Sequence, residues 1–113
     1  MRKDIEVEIE HITPADGNIF ADLGLPNPEE HQRKAALTAF IQQAIERDGL
    51  TQREAADRIG LKQPKLSNIL RGHFSGISED KLMNCLARLG YDIELQIKPR
   101  HEGMGQISVL EAA

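Results

Sequence analysis

The segment from Leu50 to Gly72 reads LTQREAADRIGLKQPKLSNILRG, with two short helical patterns on either side of a glycine. Thr51 is expected to cap the first, because its hydroxyl can accept from a free amide of the opening turn. Glu54, three residues on, completes a capping-box pattern. Ala55, Ala56 and Ile59 then supply a small apolar face. Ala55 falls where two helices have to approach closely, and a larger side chain would push them apart. Gly60 can take the left-handed conformation that ends a helix without a Cβ clash. Leu61 is expected to plug the turn into the core.

The second pattern begins near Lys62 or Gln63, with Pro64 in the first turn, where a missing N–H costs nothing. Lys62 occupies a position where Ser or Thr is the usual cap, so this start is expected to be weakly capped. Leu66, Ile69 and Leu70 recur at helical spacing and should face inward. Gln63, Lys65, Ser67, Asn68 and Arg71 are left outside, and Gly72 ends the helix. Gln and Asn can contact adenine bidentately, Lys can reach guanine acceptors, and Ser and Arg suit phosphate. Any one of these polar residues fits the solvated face of an ordinary helical hairpin. Their combined spacing (Thr-Gln, Ala, Gly-Leu, Gln-Pro, Arg-Gly) is the sequence form of a helix-turn-helix, whose second helix enters the DNA major groove.

The net charge of the 113 residues is −4, which at first sight opposes nucleic-acid binding. Its distribution removes most of that objection. From Arg47 to His73 there are six basic residues and three acids, so this stretch is +3 and the remainder −7. A local basic face on an acidic body can still bind phosphate. The acidic remainder reads first as solvated surface, and secondly as a surface for a basic partner.

Outside this stretch the periodicity continues. Ala36, Leu37, Phe40, Ile41, Ala44 and Ile45 form a 3.6-residue stripe within 28–48, and Pro28, Glu29 and Glu30 suit a helix start. Ser78 caps a later helix whose inner face is Leu82, Cys85, Leu86 and Leu89, closed by Gly90. The period then changes to two: Ile93, Leu95 and Ile97 alternate with polar residues up to Pro99, as do Ile5, Val7 and Ile9 near the start. Each alternation reads as a strand with one apolar face. The two strands could pair with each other, or a strand could pair with its copy in a second subunit. We favour pairing across a dimer, because a helix-turn-helix usually needs two recognition helices about one DNA turn apart. Arg100 to Ala113 reads as a flexible tail with marginal strand character in Gln106 to Leu110.

Chemistry of other kinds is missing from the sequence. His11, His31, His73 and His101 are scattered, with no spacing suited to a metal site, and the glycines mark turns rather than a phosphate loop. Ser67 and Ser78 have no base nearby in sequence. Cys85 is the only cysteine, and its place on an apolar helix face predicts a buried, inert thiol. No apolar run approaches the roughly 20 residues needed to cross a bilayer. The opening MRKDIEVEIE does not read as a signal peptide, so the expected compartment is the cytoplasm. Tyr91 and the three phenylalanines are too dispersed for a base-stacking platform, which argues against single-stranded nucleic acid. The expectation is a protein that is not an enzyme and carries no cofactor or metal.

From Glu30 to Leu89 the chain resembles the XRE, or lambda-repressor-like, helix-turn-helix family. Within it the chain is most similar to HigA-type antitoxins and their solitary relatives. HITPADGNIFADLGLP, His11 to Pro26, is similar to a segment these proteins carry before the first helix. LARLGYDIELQIKP, Leu86 to Pro99, is similar to their last helix running into an edge strand. The resemblance implies a homodimer that represses its own operon at a palindromic site on double-stranded DNA, with a RelE-like (HigB-type) ribonuclease toxin as a second partner. The alternatives are a solitary regulator without a toxin, or a toxin inhibitor in which DNA binding is secondary. Carried over, Gln52 contacts phosphate, Gln63, Lys65 and Asn68 read bases, and Pro64 meets a thymine methyl. Ser67 and Arg71 are positional contacts, and Thr51 and Lys62 complete the DNA-facing set. Pro64 and Lys65 differ from the glutamine and serine common in phage repressors, so the operator sequence does not carry over.

The fold class expected is mainly α, a lambda-repressor-like helical bundle with a helix-turn-helix. A short C-terminal strand is added for dimerisation, with an N-terminal strand as a further option. The division expected is an extension over 1–27, the helix-turn-helix domain over 28–90, a strand over 91–99 and a tail over 100–113.

Overall fold

A computed structural model describes residues 27–112 of the chain. The expected strand at Ile5 to Glu10 and the HITPADGNIFADLGLP segment lie outside these residues. Four helices follow in order: α1 (Pro28–Arg47), α2 (Gln52–Ile59), α3 (Gln63–Leu70) and α4 (Glu79–Arg88).

Helix α1 opens on Asn27, whose Oδ1 accepts from the amides of Glu29 and Glu30 at 2.9 and 3.1 Å. Leu37, Ile41, Ala44 and Ile45 bury the expected stripe, with Phe40 packed at its margin. At its N-terminal end the same face continues with Arg33 and Lys34, both buried. A buried cation is tolerated only when it is paired and hydrogen-bonded. Arg33 meets that condition by donating from Nε and Nη2 to the two carboxylate oxygens of Glu79, at 2.8 and 3.0 Å. Lys34 donates from Nζ to the Ser75 carbonyl at 3.0 Å. Glu79 thus has two tasks: it lies in the first turn of α4, where the helix dipole favours an anion, and it neutralises Arg33.

Helix α2 packs against both α3 and α4. Ala55 is fully buried there, as its small size requires. Leu66, Ile69, Leu82, Cys85 and Leu86 complete the centre of the core, and Phe74 seals it from the loop after α3. Burial pushes the Cys85 thiol up, with Lys81 and Arg88 pulling weakly the other way, so the sulfur stays protonated and inert.

Beyond Gly90 the chain runs without helix, and among the described residues it forms no strand. The expected C-terminal strand over 91–99 therefore has no ladder among the described residues. A lone extended segment leaves its backbone groups unpaired, and here Leu95 and Ile97 stay 69% and 84% exposed. Tyr91 is held at the start of the segment by an edge-on contact with the Phe40 ring and by the Arg47 guanidinium over its own. The stretch read as a flexible tail returns to the body: Val109 packs on the core, and the Ile107 carbonyl accepts from Arg33 Nη1 at 3.5 Å.

Candidate nucleic-acid interface

The motif is built from the backbone outward. Thr51 Oγ1 accepts from the Glu54 amide at 3.1 Å, and Glu54 Oε1 accepts from the Thr51 amide at 2.9 Å, so the reciprocal cap forms as read. The Thr51 hydroxyl accepts in that cap and keeps its own proton free to donate outward. Gly60 ends α2 with φ +88°, where a side chain would be strained, and the amides of Gly60 and Leu61 both reach the Ala56 carbonyl. The turn hands the chain directly to Lys62, the N-cap of α3. It makes no side-chain cap bond, as expected.

Helix α3 buries Leu66 and Ile69 and keeps Leu70 half-buried, so its opposite side is fixed outward. Gln63, Pro64, Lys65, Asn68 and Arg71 are exposed on that side, Ser67 is half-buried, and Lys62 is exposed at its start. Because a helix turns by about 100° per residue, Pro64, Asn68 and Arg71 lie along the middle of the exposed arc, with Gln63, Lys65 and Ser67 beside them. Gly72, at φ +93°, closes the helix. Its amide reaches Ile69 and the next amide, of His73, reaches the Asn68 carbonyl at 2.8 Å. Thr51 and Gln52 are exposed at the start of α2.

The electrostatics of this face are one-sided. From Arg58 to Ser78 the sequence has no Asp or Glu. Lys62, Lys65 and Arg71 make no ion pair among the described residues, whereas Arg33 and Arg58 are paired with Glu79 and Asp48. The cations of α3 are thus unneutralised and solvated, ready to meet an anion.

An open cleft of about 500 Å³ runs beside α3, lined by Lys62, Pro64, Lys65, Asn68, His73 and Ile77 among others. His73, which is not among the DNA-facing residues expected from the sequence, lines the same cleft from the loop after α3. The acid-free run extends past Gly72 to Ser78, so no carboxylate in this loop offsets the cations of α3. The described residues contain no group of acidic, histidine and cysteine side chains able to hold a metal, and no helix among them is long and apolar enough to cross a membrane.

A helix-turn-helix domain family model matches residues 19–98. A solved structure described as an XRE family transcriptional regulator is 37% identical, with a TM-score of 0.68, over 77% of this chain and 100% of that one. No curated protein matches the chain. With a family match over most of its length and that relative spanned end to end, the chain belongs to the XRE family of helix-turn-helix proteins.

Proposed function

We propose that the protein is a sequence-specific regulator of transcription that binds double-stranded DNA as a homodimer and represses its own operon. The carrying observation is the outward face of α3, polar, cationic and free of carboxylates, on a helix whose other side is locked into the core. In this reading Gln63, Pro64, Lys65 and Asn68 face the bases. Thr51, Gln52, Lys62, Ser67 and Arg71 grip the backbone and fix the register. Lys62 and Lys65 at the start of α3 add positive charge where the helix dipole is already positive, an arrangement that a phosphate stabilises.

Dimerisation would use the segment after α4. Its alternating apolar residues form no strand among the described residues, and Leu95 and Ile97 remain exposed. Pairing with the same segment of a second copy gives those backbone groups a ladder and covers the side chains. The same exposure supports a second reading, that a basic toxin of the RelE type covers this segment and the acidic remainder of the chain. Co-expression with the product of the neighbouring gene separates the two: a stable heteromeric complex supports the toxin inhibitor, and a free homodimer supports the solitary regulator.

The DNA-binding role is tested by gel shift on the chain's own upstream DNA. Each good base contact contributes about 1–3 kcal/mol of discrimination. The Gln63→Ala, Asn68→Ala double variant should therefore lose specific binding while retaining weak, salt-sensitive binding. If the double variant binds as tightly and as selectively as the parent, the groove assignment is wrong.

A further inference from the structure

The two amide side chains on the outer side of α3 are held differently. Gln63 is exposed, and its amide has no hydrogen-bond partner among the described residues. Asn68 accepts a hydrogen bond on Oδ1 from Nη2 of Arg71, three residues on. A guanidinium can only donate, so the amide atom that meets it must be the oxygen. This contact orients the Asn68 amide, with Nδ2 and its two N–H groups on the side away from Arg71.

We propose that Arg71 makes Asn68 a donor-only reader, so that this position of the operator is selected as guanine rather than adenine. The inference rests on the DNA-binding role assigned above. A bidentate contact with adenine needs the amide oxygen to accept from N6 while the amide nitrogen donates to N7. With Arg71 on Oδ1, the second lone pair of that oxygen sits beside a full positive charge, which repels an approaching N6 hydrogen. Guanine presents N7 and O6, both acceptors. Nδ2 of Asn68, with its two N–H groups, can donate to either of those atoms, while the N–H groups of Arg71 not used on Oδ1 remain for the backbone contact assigned to it above.

The surroundings favour the same outcome. Asn68 and Arg71 lie on the central line of the exposed arc, on the side of α3 turned away from the core. Lys65 beside them and Lys62 at the helix start also carry donors and no acceptor. No carboxylate between Arg58 and Ser78 offers an acceptor for the amino group of adenine or cytosine. Gln63, unclamped, keeps both amide functions and is the reader suited to adenine. One helix thus holds a clamped amide and a free one, and the free one serves as the internal control.

The test is selection from randomised duplexes by the full chain and by Arg71→Ala, Asn68→Ala and Gln63→Ala, each shown to fold by far-ultraviolet circular dichroism. The parent should enrich guanine at one position of each half-site. Asn68→Ala should flatten that position. Arg71→Ala, which frees Oδ1, should move the same position toward adenine by roughly 5- to 150-fold, the discrimination of a good bidentate pair. Gln63→Ala should flatten a different position and leave this one unchanged. If the parent already selects adenine at the Asn68 position, or if Arg71→Ala weakens all sequences equally and leaves the preference unchanged, the clamp is refuted and Arg71 serves as a backbone contact alone. Retention of no sequence over any other by the parent would refute the DNA-binding role itself, and the clamp with it.

Discussion

Helices α2 and α3 are each eight residues long and stand one tight turn apart, yet they are provisioned in opposite ways. Helix α2 has a reciprocal cap at its start, a left-handed glycine at its end and an acid in its first turn. Helix α3 opens on a lysine that caps nothing and has no acid at its start. Helices this short are marginal in isolation, so α3 is kept helical by Leu66 and Ile69 in the core rather than by its own ends. The difference teaches where the chain departs from local rules. A natural sequence that breaks such a rule commonly does so where it works, and what α3 lacks at its start is negative charge, which a phosphate backbone would supply.

The contrast can be broken or sharpened by substitution. The largest effect is expected at Leu66, fully buried in α3. Leu66→Ala should lower unfolding stability by about 2–5 kcal/mol in urea titration, because little else holds this helix in place. A loss under 1 kcal/mol would mean that α3 is supported locally after all. Ala55→Leu comes next. Overpacking the α2 contact should cost about 1–3 kcal/mol and shift the thermal midpoint down, without touching any outward residue. Thr51→Ala removes one half of the reciprocal cap and should cost about 1 kcal/mol, measurable by the same titration.

The smallest effect carries the opposite sign. Lys62→Ser supplies the cap that α3 lacks and should stabilise the fold by about 0.5 kcal/mol. It should weaken DNA binding, with the slope of log affinity against log salt falling by about one charge. Stabilisation with unchanged binding would mean that Lys62 is merely a poor cap.

Much of this contrast was legible because caps and stop signals are local. Thr51 with Glu54, Gly60, Gly72 and Ser78 marked helix ends that the structure keeps, and the apolar spacing of Leu66, Ile69, Leu82 and Cys85 named the core. The Asn27 cap is harder to see in the sequence, because Pro28 and the two glutamates by themselves account for a helix start. The burial of Arg33 and Lys34 could not be read in the same way. Their partners, Glu79 and Ser75, are more than forty residues away, and a charged pair on a helix normally signals a solvated face. The alternation of Ile93, Leu95 and Ile97 is plain in the sequence, but a strand is a relation between two segments, and the alternation alone does not say whether its partner is the segment at Ile5 to Ile9 or a second copy of the chain. At the outer face the residues were legible individually, while the bond between Asn68 and Arg71 depends on side-chain geometry that spacing alone leaves open.

The bidentate grip of Arg33 on Glu79 and the reach of Lys34 to the Ser75 carbonyl bear on affinity as well as on packing. Together they moor α1 to the first turn of α4 and to the loop that leaves α3. A surface whose loop is already anchored has little motion left to surrender when a ligand arrives, so more of each contact survives as net binding. Loosening this mooring would be felt as faster dissociation from DNA, although neither basic side chain needs to touch a nucleotide.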